Sequence, residues 1–96
     1  MNRFQELITD VAPIAIKHGV KKIKLFGSCA RGEEHAQSDY DFLISRGKID
    51  TLIKYSAFIE DLEELLGTHV DVITDTSDDE DLIVSAERDG ILLYEK

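Results

Sequence analysis

Leu25-Phe26-Gly27-Ser28-Cys29-Ala30-Arg31-Gly32, followed after six residues by Asp39-Tyr40-Asp41-Phe42-Leu43-Ile44, is the stretch on which the reading of this chain turns. Residues 20–26 alternate, with Ile23 and Leu25 on one side and Lys22 and Lys24 on the other, the pattern of a half-buried strand. Residues 40–44 give a second strand in which Phe42 and Ile44 share a face. The small, polar, glycine-punctuated segment 27–38 between them reads as a turn or a short helix. Asp39 and Asp41 stand two apart at the start of a strand, so their side chains project from one face with the carboxylates a few ångströms apart. Such a pair is either two turn aspartates facing water or the two jaws of a divalent-cation site, because Mg²⁺ binds carboxylate and phosphate oxygens together and cancels the repulsion. Gly27-Ser28 directly after a strand is either an ordinary turn or a phosphate cradle, in which backbone N–H groups and a hydroxyl converge where no Cβ blocks a ligand. Taken together, a cradle just ahead of an aspartate pair is what nucleotide chemistry requires.

Outward from this stretch the chain alternates helices and strands. Phe4, Leu7, Ile8 and Val11 recur at helical spacing, and Ile14 and Ala15 continue the stripe, which predicts a helix over 2–18 stopped by Gly19. Pro13 removes one hydrogen bond and crowds the preceding turn, which predicts a kink or break near 11–13. Leu52, Ile53, Phe58, Ile59, Leu62, Leu65 and Leu66 place a long helix over 50–66, with Gly67 as its stop. Residues 69–74 form a third short strand. Ser77-Asp78-Asp79-Glu80 is a capping-box pattern that opens a helix running to Asp89 and stopped by Gly90, and 91–94 close the chain as a strand or an apolar strip. The sequence predicts an α/β (α+β) fold, a small mixed sheet of about four strands flanked by helices, as a single domain over 1–96.

Composition limits what such a domain does. The chain has 96 residues, is 43% hydrophobic and 32% charged, and carries one proline, values of a globular protein rather than a disordered or fibrous one. No apolar run is long enough to cross a membrane, and the first ten residues lack the pattern of a signal peptide. The lone Cys29 cannot close an internal disulfide, which agrees with a reducing compartment, so the expected location is cytoplasmic, with no membrane partner. A net charge of −9 argues against direct nucleic-acid binding by the general surface. The charge is unevenly spread: residues 1–48 hold eight basic and six acidic side chains, residues 49–96 three and fourteen. The acidic second half is either a solvated surface or a dock for a basic partner.

Gly27-Ser28, ten residues, then Asp39-Tyr40-Asp41 resembles the G-S-x10-D-x-D signature of the DNA polymerase beta-like nucleotidyltransferases. The chain length is similar to that of the minimal nucleotidyltransferases (MNT), which commonly form the antitoxin half of HEPN/MNT toxin–antitoxin pairs. The similarity runs from the lysine-rich first strand through 69–74 to Gly90-Ile91-Leu92-Leu93-Tyr94-Glu95.

This resemblance implies the polymerase beta-like nucleotidyltransferase fold and a third carboxylate on a neighbouring strand, for which Asp71, flanked by Val70 and Val72, is the match. Without the resemblance, Asp71 reads as either a solvent-face or a functional residue. The implied catalytic and metal-binding set is then Asp39, Asp41 and Asp71, holding two Mg²⁺ ions with ATP as substrate. Gly27 and Ser28 would contact the β- or γ-phosphate, and Asp71 would help draw the proton from the attacking hydroxyl. Arg31 is left between neutralising phosphate and capping a short helix or pairing with Glu33.

The implied activity is a protein adenylyltransferase, a type VII-like antitoxin that moves AMP from ATP onto a tyrosine of a HEPN ribonuclease toxin, in a hetero-oligomer with that partner. The alternative is a catalytically silent antitoxin that neutralises its toxin by binding alone, through the acidic second half and apolar strips such as 91–94. Transfer to a small molecule such as an aminoglycoside would need a further substrate domain. His69 shares a strand face with Asp71 but reads as a solvated histidine, and His18 and His35 have no partner at useful spacing. Lys21, Lys22 and Lys24 could attract ATP phosphates, but an exposed basic strand end is enough to explain them.

Overall fold

A computed structural model describes residues 3–27, 40–76 and 80–96. Its elements in chain order are α1 (Arg3–His18), β1 (Lys22–Phe26), β2 (Tyr40–Ser45), α2 (Leu52–Leu66), β3 (Val70–Thr74), α3 (Glu80–Asp89) and β4 (Ile91–Glu95). The four strands form one mixed sheet in the order β3-β2-β1-β4. β1 runs antiparallel to both β2 and β4, whereas β2 and β3 are parallel. A parallel neighbour cannot be reached by a tight turn, and α2 supplies the crossover that returns the chain to the same end of the sheet.

Strand alternation divides the sheet into two faces. On one, Ile23, Leu25, Phe42, Ile44 and Val70 join a core with Val11 and Ala15 of α1 and Phe58 and Leu62 of α2. On the other, Leu43 is fully buried, and α3 lies against β1 and β2. Lys22 and Lys24 also point to this second face, where the sequence suggested an exposed basic strand end. Instead their side chains are 21% and 17% exposed and converge on Glu87 of α3, at 3.0 Å from Oε1 and 3.1 Å from Oε2 respectively. Lys24 also donates to the Glu87 backbone carbonyl at 2.8 Å. The apolar stems of the two lysines cover the sheet while one carboxylate neutralises both ammonium groups.

One further expectation, the break at Pro13, is corrected, and the structure adds detail to two other readings. α1 is one continuous helix through Pro13 rather than a broken one. The proline forfeits only the bond to the Thr9 carbonyl, while fully buried Val11 and Ala15 hold both sides of it on the core. The first turn of α2 does not add to the core, because Leu52 and Ile53 are 79% and 83% exposed. α2 is set by its caps: the Thr51 hydroxyl accepts from the Lys54 N–H at 3.2 Å, and the Gly67 N–H donates to the Glu63 carbonyl. The strip 91–94 is β4, with Leu93 buried and Ile91 and Tyr94 against the core, so Leu92 alone of its apolar residues is exposed. The capping box at Ser77 lies outside the described residues.

Glu87 is the electrostatic clasp between α3 and the sheet. Hydrogen bonding from Lys22, and then from Lys24, holds its carboxyl below the ordinary glutamate value of 4.5 despite partial desolvation. A depressed folded-state value means that this stabilisation is present above the unfolded pKa and is lost as pH falls through the folded one. Glu87→Gln should cost about 1 kcal/mol at neutral pH, allowing for the pair's partial exposure. In urea melts across pH, the gap between the variant and the parent should begin to narrow below about pH 4.5, the unfolded value, and close only once the pH has fallen through the depressed folded value of Glu87.

Candidate active site

β1 ends at Phe26, whose register partner on β2 is Asp41. The next residue, Gly27, turns the chain with φ of 77°, a conformation that side-chain-bearing residues rarely adopt. A Cβ on Gly27 would lie 2.5 Å from Asp41 Oδ2 and 3.3 Å from its Cγ. Glycine stands there because the Asp41 carboxylate occupies the space, which leaves bare backbone and a carboxylate side by side at the strand end. Tyr40 and Phe42, on either side of Asp41, turn to the core face, where their rings stack with centroids 6.1 Å apart. Anchoring both neighbours in the core directs Asp41 to the opposite face.

Asp71 is the direct register partner of Asp41 in the adjacent parallel strand. Paired residues in adjoining strands project from the same face about 4.8 Å apart, so the two carboxylates share one surface. Asp41 is half-buried, whereas the Asp71 side chain is 57% exposed. β3 is an edge strand, and α2 holds it on both sides of Asp71. The Val70 N–H donates to Glu63 Oε2 at 3.3 Å, and the Tyr55 hydroxyl donates to the Val72 carbonyl at 2.5 Å. Burial pushes the Tyr55 hydroxyl pKa up, which keeps it a neutral donor.

His69 is exposed, as read from the sequence, yet it is not simply solvated: Nε2 lies 3.0 Å from Asp71 Oδ1 and Nδ1 lies 3.1 Å from Glu63 Oε2. Glu63 and Tyr55 were missed by sequence reasoning, since nothing in their helical spacing links them to a strand edge. His18, read as partnerless, has a partner 43 residues away: Nε2 lies 2.7 Å from Asp61 Oδ2, and its ring meets Phe58 edge-on. This contact joins α1 to α2. Hydrogen bonds from His18 and Lys17 hold the Asp61 carboxyl below its usual range.

The structure thus brings Gly27, Asp41 and Asp71 together. Ser28, Arg31 and Asp39 lie outside the described residues, as do Cys29 and His35. Among the described residues no group of three or more histidine, cysteine, aspartate or glutamate side chains forms a metal site. Two carboxylates on one surface beside the bare backbone of a glycine are an all-oxygen donor set, which fits a hard divalent cation carrying phosphate.

A four-stranded mixed sheet with helices on both faces, ending in a glycine turn beside paired aspartates, is the architecture of a nucleotidyltransferase domain. Residues 9–96 match the family model described as "Polymerase beta, Nucleotidyltransferase", and the chain belongs to that family. A Methanocaldococcus jannaschii protein, named as a candidate protein adenylyltransferase, is 42% identical over 72% of this chain and 74% of its own length. Protein adenylyltransferase MntA of Thermococcus cleftensis is 41% identical over 64% of this chain, and the match spans 62% of that relative. The crystal structure of a toxin–antitoxin complex with AMP-PNP superposes with a TM-score of 0.76 over 96% of this chain and 73% of its own. At 21% identity that likeness shows the shared fold. No helix among the described residues is long and apolar enough to cross a membrane.

Gly27→Ala tests the close approach at the centre of the site. The new methyl must displace the Asp41 carboxylate and sit at an unfavourable φ, so the variant should lose about 1–3 kcal/mol in thermal or urea unfolding. A change within a few tenths of a kcal/mol would show that the turn adapts freely.

Proposed function

We propose that this chain is a Mg²⁺-dependent protein adenylyltransferase that transfers AMP from ATP to a tyrosine hydroxyl of a HEPN-type toxin in the cytoplasm, and so acts as its antitoxin. The observation that carries this reading is the register pairing of Asp41 with Asp71 beside the bare backbone of Gly27. Its wider support is family membership together with relatives named as protein adenylyltransferases. The toxin–antitoxin complex that shares the fold, solved with an ATP analogue, supports the partner class.

Asp39, Asp41 and Asp71 would hold the metal, two ions in the full site, which supplies charge neutralisation at the triphosphate and at the attacking oxygen. Gly27 and Ser28 bind the β- or γ-phosphate through backbone N–H groups and the hydroxyl, and Arg31 offsets phosphate charge. The acceptor oxygen forms a new bond to the α-phosphorus as the bond from that phosphorus to the bridging oxygen breaks. Pyrophosphate leaves, and the hydroxyl proton passes toward Asp71. The exposure of Asp71 on an edge strand suits an acceptor presented by a second macromolecule, since a partner side chain can reach it without entering a closed pocket.

Intact-mass spectrometry of the partner protein after incubation with this chain, ATP and Mg²⁺ tests the proposal. The partner should gain about 329 Da for each AMP transferred. Asp41→Asn should abolish the gain, and Asp71→Asn should slow it by at least about 100-fold, with fold and partner capture unchanged. A partner captured stably but never modified would establish neutralisation by contact alone.

A further inference from the structure

We propose that the end of the molecule remote from Asp41 and Asp71 is a docking groove for an acidic segment of a partner protein that also carries an apolar side chain. Antiparallel pairing of β1 with β2 sets Phe26 beside Asp41 at one end of the sheet and Lys22 beside Ser45 at the other. At that second end three segments are tied by backbone hydrogen bonds: Lys48 N–H to the Gly19 carbonyl at 3.0 Å, Lys21 N–H to Ser45 at 3.0 Å and Lys96 N–H to Lys21 at 2.9 Å. The approach is close enough that a Cβ on Gly19 would lie 2.8 Å from that of Lys48. Each tied segment contributes one lysine, so the backbone fixes where the three side chains originate.

These lysines line a cavity of about 310 Å³ together with Ile16, Val20 and Tyr94. A neighbouring cavity of about 310 Å³ is lined by Ile16, Lys17, His18, Lys48 and Lys54. Ile16, Gly19 and Lys48 line both, so the two cavities adjoin, and Ile16 presents an apolar side chain that is 66% exposed. Lys17 is paired with Asp61 and Lys54 with Asp50, and the lysines of β1 are held by Glu87. Lys21, Lys48 and Lys96 have no ion pair among the described residues. In a chain with twenty acidic and eleven basic side chains, a cluster of three lysines with no ion pair among the described residues, set around apolar side chains, is a local reversal of charge, although Asp50 and Asp75 line a neighbouring cavity that Lys21 shares.

Charge complementarity selects the occupant. A nucleic acid would meet a net charge of −9 on the rest of the molecule, with few cations to release its counterions. An acidic face of a second copy would make a head-to-tail contact, which propagates into an open chain rather than closing as a symmetric dimer. An acidic protein segment brings few charges, places carboxylates against the lysines and sets an apolar side chain against Ile16. The inference does not depend on nucleotide transfer, because the groove contains none of the residues proposed for that reaction.

The test is an amide-shift titration of the ¹⁵N-labelled full chain with a blocked peptide of alternating glutamate and leucine. The peptide should shift the amides of Gly19, Lys48, Tyr94 and Lys96. Replacing its glutamates by glutamine, or introducing Lys48→Glu in the protein, should weaken binding at least about tenfold. Asp71→Asn, at the far end, should leave the affinity unchanged. Lys96→Glu provides a second variant should Lys48→Glu disturb the tied loops. Equal binding of the two peptides, no effect of either lysine variant, stronger shifts of the same amides by a short oligothymidylate, or shifts that follow protein concentration alone would each overturn the proposal.

Discussion

The parallel pairing of β2 with β3 is the constraint on which the candidate site depends, because it alone sets Asp41 and Asp71 opposite one another on a shared face. Two strands of like direction require a long crossover, and α2 is that crossover. The helix does more than return the chain. Phe58 and Leu62 bury against the sheet, while Tyr55 and Glu63 hydrogen-bond to the backbone of β3 on both sides of Asp71. One helix thereby provides connection, core and edge support, and a slip of one residue in the strand register would turn Asp71 into the core and a valine outward.

The two faces of the sheet solve different physical problems. The α1–α2 face is apolar throughout, and burial of Ile23, Leu25, Phe42, Ile44 and Phe58 supplies the hydrophobic drive to fold. The α3 face carries Asp41, Lys22 and Lys24, so its cover must satisfy charge as well as exclude water. Glu87 does this with one carboxylate shared by two ammonium groups, at the cost of desolvating them. The carboxylate pair then lies on a face that already tolerates polar groups, at the end of the strands rather than beneath the helix.

Charge is distributed along the strand axis in the same spirit. Acidic groups proposed to hold metal lie where β1 ends, and Lys21, Lys48 and Lys96, with no ion pair among the described residues, lie near where it begins, in a molecule whose overall charge is strongly negative. With this distribution the first end would draw a cation and its bound phosphates, whereas an acidic partner would be repelled from most of the surface and attracted to the second. The two ends can therefore engage different ligands without competing.

Much of this was determined by sequence alone. The period-two alternation around Leu25 and Phe42, the helical spacing of Leu62 with Phe58, and Gly67 as a stop are local properties, and the elements appear where those signals put them. Gly27, Asp41 and Asp71 were each legible as residues that a strand end or strand face would display. Tertiary structure decided what lay beyond local reach. Whether Asp71 meets Asp41 depends on which strands neighbour each other, and no periodicity encodes that. Lys22 and Lys24 read as exposed because their partner Glu87 is more than sixty residues away in sequence, on a helix whose docking face only the fold assigns. Helical spacing put Leu52 and Ile53 on a helix but is blind to where the sheet ends, and in the fold both are exposed. His18 read as partnerless because Asp61 reaches it only when α1 and α2 pack together. Local spacing fixes which face a side chain joins, and only the assembled sheet fixes what stands opposite it.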